Sequence, residues 1–378
     1  MTRPRIAQFS LSGFKTIEHL VDFIPGNLTV LIGPNGAGKS NFISFFRLLS
    51  WALNPPGQLQ TYVELLGGAS EILYAGRPPA NRIVARIAIK AAKGANEYGF
   101  ELVQAAQDKL IFTDEWFRFL PEGQTGKTTP LGVGHKEAQL IGRAEAGRKT
   151  EATILAMLRR IVVHQFHNTS PSARIRNKWD VNDGRWLKED AGNLGSFLFR
   201  LQNSEPIYFQ KIIATTRLVL PFFADYELIP DNGNKILLRW RELESDRLFD
   251  ASQAADGMLR VMALVALLQQ PERDIPDVLI MDEPELGLHP YAIHILSQLI
   301  SSASKHVQVI VATQSVSLID KFDPHDVVVV NREGSRSTYG RLKGEELSDW
   351  LEDYSLSELW EKNVLGGRPR LWSGSMHS

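Results

Sequence analysis

Apolar positions along the chain fall into two kinds of pattern, and the changes from one to the other organise it. Leu28-Thr29-Val30-Leu31-Ile32 is a largely apolar run of strand length. A glycine-rich turn follows, and Asn41-Phe42-Ile43-Ser44-Phe45-Phe46 then opens a helix. From Asn81 to Phe119 the pattern alternates: Ile83, Ala85, Ile87 and Ile89, then Tyr98, Phe100 and Leu102, then Leu110 and Phe112. Such alternation predicts antiparallel strands, here with turns at Lys93-Gly94-Ala95-Asn96 and Gln107-Asp108. Helical spacing appears at Ile154, Leu155, Leu158 and Ile161, and residues 135–215 read as mainly helical. Tyr226–Trp240 returns to β, and residues 250–330 alternate helix and strand as parallel α/β units.

These shifts divide the chain into four stretches: 1–134, 135–225, 226–340 and a helical tail at 341–378. Pro55-Pro56-Gly57 ends the first helical stretch, and a polar loop begins at Pro121-Glu122-Gly123-Gln124-Thr125-Gly126-Lys127. No long heptad repeat, internal repeat or low-complexity tract is evident. A globular lobe fills the space between Ser40 and Asp282, which argues against a long-armed tether. Asp349, Glu352, Asp353 and Glu358 are scattered acids on a solvated helix face of the tail.

The turn after Ile32 reads Gly33-Pro34-Asn35-Gly36-Ala37-Gly38-Lys39-Ser40, a G-x-x-x-x-G-K-[ST] phosphate-binding loop between strand and helix. Its glycines let backbone N–H groups face the α- and β-phosphates of a nucleotide. Lys39 reaches the β- and γ-phosphates, and the Ser40 hydroxyl ligates Mg²⁺. Asn41 follows at the start of the helix, whose positive end faces the phosphates. Far downstream, Asp277-Val278-Leu279-Ile280-Met281-Asp282-Glu283 is an apolar strand ending in two carboxylates. Asp282 is placed to hold Mg²⁺ and Glu283 to polarise the attacking water. The pair of motifs predicts ATP and Mg²⁺ as cofactors and ATP hydrolysis as the reaction.

The run Asp282-Glu283-Pro284-Glu285-Leu286-Gly287-Leu288-His289-Pro290 resembles the Walker B and D-loop of ABC-type ATPase heads of the RecF/SMC/overcoming-lysogenization branch. Phe9-Ser10-Leu11-Ser12-Gly13-Phe14-Lys15 is similar to the N-terminal strand of that branch, and Gly38-Lys39-Ser40-Asn41 is its usual spelling. Asp190-Ala191-Gly192-Asn193-Leu194 and Leu359-Trp360-Glu361-Lys362-Asn363-Val364-Leu365-Gly366-Gly367 resemble a short bacterial group of predicted AAA ATPases. The resemblance implies an α/β fold: a P-loop NTPase head of ABC type with an antiparallel β-subdomain and an inserted helical lobe. It also implies a homodimer that forms on ATP binding.

By the same resemblance, the signature segment is Gln253-Ala254-Ala255-Asp256-Gly257-Met258. Ala255 stands where the family has a serine that bonds the γ-phosphate held by the opposite subunit. Asp256, Gly257 and the following helix start remain as an anion site, but a hydrogen bond worth about 1.5–3 kcal/mol is missing, so the ATP-bound dimer is expected to be weak. The switch loop reads Thr313-Gln314-Ser315 where most relatives have Thr-His-Ser. The Gln314 amide can donate to a γ-phosphate oxygen but carries no positive charge, so the resemblance implies slow turnover. Gln165 stands where the family's Mg²⁺-ligating loop glutamine is expected, and Lys15 where the chain approaches the nucleotide phosphates.

Composition narrows the class. The chain has 378 residues, 43% hydrophobic and 22% charged, enough for a large core. It has no cysteine, hence no disulfide framework and no thiolate metal site. No signal-peptide pattern and no apolar run of about 18 residues is present, so a cytoplasmic protein without membrane contact is expected. With a net charge of −1, a nucleic-acid partner would need a local basic patch. Arg174, Arg176, Lys178, Trp179, Arg185, Trp186 and Lys188 form a basic-aromatic stretch, diluted by Asp180, Asp183, Glu189 and Asp190; it reads as a solvated loop or as a partner surface. His164 and His167 are spaced like metal ligands but lack a third. The sequence leaves two roles open: coupling of ATP-dependent dimerisation to DNA transactions, or an ATP-gated regulatory subunit of a phage-defence or toxin complex with an effector protein.

Overall fold

A computed structural model describes residues 3–54, 58–78, 80–92, 94–121, 126–342, 350, 353–362 and 364. Its centre is a six-stranded sheet in the order Arg336–Arg341, Val327–Glu333, Leu28–Ile32, Gln308–Thr313, Val278–Asp282, Ile161–His164. All neighbours pair in parallel except the terminal hairpin of Val327–Glu333 with Arg336–Arg341. The central strands are apolar at nearly every position because both faces are covered. Val30, Ile32, Leu279, Met281, Val309 and Val311 face one core, whereas Leu31, Val278, Ile280, Ile310 and Ala312 face the other.

The first core is closed by the helices Leu194–Ser204, Pro206–Val219, Asp256–Gln269 and Pro290–Ala303. The second is closed by the phosphate-loop helix Lys39–Leu53 and a second six-stranded sheet. That sheet is antiparallel throughout, in the order Ile17–Phe23, Arg5–Phe14, Arg82–Ala91, Gly94–Ala105, Lys109–Pro121, Thr128–Gly132. An aromatic cluster fastens the helix to it: the Phe9 ring lies 5.7, 5.1 and 5.2 Å from the rings of Phe42, Phe45 and Phe46. The helix is thus gripped between two sheets, which holds its N-terminus rigidly at the edge of the parallel one.

This is the expected α/β head with its antiparallel β-subdomain. Among the described residues no helix exceeds the 15 residues of Lys39–Leu53, so no long coiled coil leaves the head. None is long and apolar enough to cross a membrane.

The helical reading of 135–215 holds for Gln139–Glu145, Lys149–Leu158, Leu194–Ser204 and Pro206–Val219 but fails in between. Ile161–His164 is an edge strand of the parallel sheet, and residues 165–193 form 3₁₀ turns, irregular chain and the short strand Trp179–Asp180, which pairs with Lys235–Ile236. The side chains of Asn168, Asp180 and Asp190 accept from the backbone amides of Ser170, Asn182 and Gly192 there, which competes with helix. The two helical pairs also lie in different cores: Ile154, Leu155 and Leu158 pack with the phosphate-loop helix, Phe197, Leu201 and Ile212 with Met262 and Leu264. The first β-turn is tighter than expected, since Gly94 already pairs with Ala91. Thr128–Gly132 adds a strand that the polar composition concealed. Pro55-Pro56-Gly57, residues 122–125, Asp349, Glu352, Asn363 and 365–367 lie outside the described residues.

The clamp on the helix is measurable. Phe9→Ala should destabilise the protein by about 3–5 kcal/mol in denaturant unfolding, since Phe9 is 1% exposed and touches three rings. A cost under about 1 kcal/mol would show that the cluster repacks and does not hold the helix.

Candidate nucleotide-binding site

The phosphate loop leaves the buried strand Leu28–Ile32 and enters the helix Lys39–Leu53 through two positions that admit only glycine. A Cβ on Gly33 would lie 2.3 Å from the Val330 carbonyl oxygen. Gly38 has φ +116°, and a Cβ there would lie 2.0 Å from Ser337 Oγ. Gly38 caps the helix with no side-chain partner, so the first-turn amides stay open to an incoming anion. Pro34, Asn35 and Gly36 form the outer rim, Ala37 is buried beneath them, and Ser40 is exposed at the mouth. The buried Lys39 folds back over the loop, its Nζ donating to the carbonyls of Gly33 (2.6 Å) and Pro34 (3.2 Å). Burial lowers the Lys39 pKa, while Glu283, Asp282 and Glu285 pull it back up.

The loop is braced from behind. Ser337 Oγ donates to the Ala37 carbonyl at 2.6 Å and lies 2.7 Å from Thr16 Oγ1. Asn41 Nδ2 donates to Thr16 Oγ1 at 2.8 Å, and the Tyr339 hydroxyl donates to the Gly38 carbonyl at 3.1 Å. Asn41 therefore points to the brace. Lys15 points past the loop, its Nζ 3.5 Å from Ser44 Oγ, one helical turn beyond Ser40.

Two strands over, Val278–Asp282 delivers the carboxylates. Asp282 is buried, which raises its pKa. Its Oδ2 accepts from Gln165 Nε2 at 3.0 Å, and its Oδ1 is buried with no partner. Glu283 has a left-handed backbone, φ 42°, fixed by its amide donating to the Ala312 carbonyl at 2.8 Å. Glu285 is buried, which raises its pKa, and accepts from the Thr313 hydroxyl. Thr313 Oγ1 in turn accepts from the Ser315 amide at 2.9 Å, leaving Gln314 exposed on the turn between them.

Gln165 follows the edge strand Ile161–His164, and its amide reaches the Asp282 carboxylate. His167 Nε2 donates to the Asp282 carbonyl at 2.9 Å, and its Nδ1 accepts from Gln165 Nε2 at 2.8 Å. His164 lies apart, buried beside Phe166, and burial lowers its pKa to about 4.

Asp256 and Gly257 begin the helix Asp256–Gln269, capped by Ala255 without a side-chain bond. Their contacts are to Arg176 and to the turn after the carboxylate strand. Arg176 Nη2 donates to Asp256 Oδ1 at 2.9 Å, and a Cβ on Gly257 would lie 2.9 Å from the Gly287 carbonyl. From the same helix Arg260 donates to the carbonyls of Leu286 (3.0 Å), Phe166 (3.2 Å) and His167 (3.0 Å), tying three segments together. In the basic-aromatic stretch, Arg174 pairs with Asp190 and Lys178 with Asp231, while Arg174 and Lys188 lie over the Trp179 ring.

The model of the family described as "AAA domain, putative AbiEii toxin, Type IV TA system" matches residues 28–86 and 144–320. The chain belongs to this family. It is also similar to the chromosome partition protein Smc of Thauera aminoaromatica, 33% identical over 96 residues that make up 24% of this chain and 7% of that protein. Among solved structures it resembles an SmcHead bound to the C-winged helix domain of ScpA, with TM-score 0.62, 15% identity, and 91% of this chain and 99% of the other covered. The Smc head domain with an extended coiled coil from Pyrococcus furiosus gives TM-score 0.57 at 14% identity, covering 93% and 99%. At these identities the likeness establishes the fold, that of a P-loop ATPase head. The chain is thus an AAA-domain ATPase family member related in fold to SMC heads.

Four contributors to this AAA-family site escaped the sequence reading, among them Thr16, which holds Asn41 and Ser337 behind the loop. Arg47, on the third turn of the phosphate-loop helix, donates to Gln165 Oε1. Ser337 and Tyr339 reach the loop from a strand about 300 residues away, with no motif to announce them. Arg47 carried a weak signal, as a lone cation in the apolar run Phe45-Phe46-Arg47-Leu48-Leu49.

The left-handed turn at Glu283 is strained for a residue with a Cβ, a cost of about 1–3 kcal/mol. Glu283→Gly should therefore stabilise the protein by about 1 kcal/mol in chemical denaturation. A loss of stability would show that the side chain's own contacts outweigh the backbone strain.

Proposed function

We propose that the protein binds ATP with Mg²⁺ at Gly33–Asn41 and hydrolyses it slowly, and that ATP draws two heads together in the service of a DNA transaction. The observation that carries the reading is convergence: the open helix N-terminus, Lys39, Asp282, Glu283, Gln165 and Gln314 all follow strands that end side by side. The residues fit the groups they would hold. The unpaired, buried Asp282 Oδ1 is a hard-oxygen ligand, Ser40 brings a hydroxyl oxygen to the same sheet edge, and Gln165 could add its amide oxygen there if the amide turned. Lys39, resting on loop carbonyls, has its charge available for phosphate oxygens. Bound Mg²⁺ would neutralise charge developing on the β- and γ-phosphates.

In this reading Glu283 orients a water for in-line attack on the γ-phosphorus and takes up its proton as the bond to the β-γ bridging oxygen breaks, giving ADP and phosphate. Gln314 donates to a γ-phosphate oxygen without adding positive charge, which supports slow turnover. Ala255 offers no hydroxyl to a partner head, which supports a weak ATP-dependent dimer. The likeness to heads of a chromosome partition protein supports DNA as the partner. A second reading, an ATP-gated regulatory subunit of a toxin or phage-defence complex, draws support from the family description, which names a toxin–antitoxin system. Duplex binding that weakens steeply with salt favours the first; salt-indifferent co-purification with an effector protein favours the second.

Lys39→Ala should abolish most nucleotide affinity in calorimetry, because it removes the cation that lies inside the cradle on the Gly33 and Pro34 carbonyls. ATP affinity like that of the wild type in this variant would overturn the site.

Glu283→Gln should bind ATP but stop phosphate release, and sedimentation with ATP and Mg²⁺ should then show more dimer than in the wild type. Unchanged turnover would remove Glu283 from the catalytic role.

A further inference from the structure

We infer that Arg47 is a latch that holds the Gln165 amide turned away from the metal position. The inference rests on the ATP and Mg²⁺ reading above. Arg47 sits two turns along the helix from Lys39 and Ser40; Ser40, Ser44 and Arg47 share one helical face. Its Nη2 donates to Gln165 Oε1. A guanidinium has only donors, so the amide oxygen must face it and the amide NH₂ must face away. The partners on the other side agree, since Asp282 Oδ2 and His167 Nδ1 both accept from Gln165 Nε2, at 3.0 and 2.8 Å. Three independent contacts therefore select one orientation.

That orientation has a chemical consequence. A glutamine can ligate a hard cation only through its oxygen. Here the oxygen is taken by a fixed positive charge, and the amide donor covers one oxygen of Asp282, leaving only Oδ1 open. Arg47 also lies close enough to Asp282 to act on its carboxyl electrostatically, so the same charge disfavours a divalent cation beside it. For Gln165 to join the metal, Arg47 must let go and the amide must turn. Because Arg47 belongs to the helix that carries Lys39 and Ser40, nucleotide docking at the loop bears directly on the latch. Arg47 is thus a positioning residue that makes the loop glutamine's entry conditional on the nucleotide.

The test is a Mg²⁺ titration at fixed fluorescent ATP analogue, read as nucleotide binding, with thermal unfolding as a fold control. Arg47→Met should lower the Mg²⁺ midpoint by about 3- to 10-fold, in line with removing one charge-assisted hydrogen bond. Arg47→Lys, which keeps the charge but loses the planar fork, should shift it less and in the same direction, and it serves if the methionine variant misfolds. In a Gln165→Ala background, Arg47→Met should shift the midpoint clearly less than in the wild type, keeping only the direct effect of its charge, whereas a role independent of the amide would leave the full effect intact and overturn the latch. An unchanged or raised midpoint in folded Arg47 variants that still bind nucleotide overturns the latch. A wild type that binds no nucleotide at any Mg²⁺ concentration overturns the ATP reading instead.

Discussion

Parallel pairing of the central strands imposes the geometry on which every other feature depends. Strands that run the same way end on the same side, and each must be joined to the next by a crossover that leaves that side free. The register puts Ile32 beside Thr313, Ala312 beside Asp282, and Met281 beside His164. The turns that follow these strands begin at Gly33, Gln314, Glu283 and Gln165, and they form one row along the sheet edge. A cation, two carboxylates and two amides scattered through the chain are thereby made neighbours by backbone hydrogen bonds alone. A slip of one residue in any strand would turn its side chains to the opposite face and empty one place in the row.

The row is costly to build, and the surrounding structure shows how the cost is met. Lys39, Asp282 and Glu285 are charged or acidic groups withdrawn from water. Each is held by short-range partners: loop carbonyls for Lys39, the Gln165 amide for Asp282, the Thr313 hydroxyl for Glu285. What remains unmatched, Asp282 Oδ1 and Glu285 Oε2, lies in the carboxylate turn. Buried polar atoms without partners are rare in folded proteins, and two of them in one turn fit the proposal that a bound group supplies the missing contacts. The left-handed backbone at Glu283 belongs to the same pattern of local strain beside reactive groups.

Much of this was legible in the sequence because it is local. The phosphate loop, the apolar strand with its terminal acids, and the period-two run of the β-subdomain each depend on neighbours within about ten residues. The turns at residues 165–193 were not legible, because Asn168, Asp180 and Asp190 redirect backbone hydrogen bonds in a stretch whose apolar spacing alone is ambiguous. The strand Thr128–Gly132 was hidden by its polar, proline-containing composition and exists only as an edge added to Lys109–Pro121. Arg47, Ser337 and Tyr339 act through contacts that span more than a hundred residues, and no pattern along the chain encodes such pairings. Gln165 lies between these extremes: its family position was readable, its orientation was not.

The hairpin that braces the phosphate loop carries a consequence for how the protein is made. Ser337 and Tyr339 hold the carbonyls of Ala37 and Gly38 from the far end of the chain. On the ribosome the outer support of the loop is translated some three hundred residues after the loop itself. Until then the Ala37 carbonyl lacks its Ser337 donor and the Gly38 carbonyl has only the helical Phe42 amide, and the carboxylate strand Val278–Asp282 that faces Lys39 across the sheet edge is itself late. The nascent head therefore passes through most of its synthesis with a motif that is complete in spelling and incomplete in shape. If the loop takes nucleotide as proposed above, capture waits for this hairpin and the carboxylate strand, so a nascent first half would not hold ATP before the second half exists.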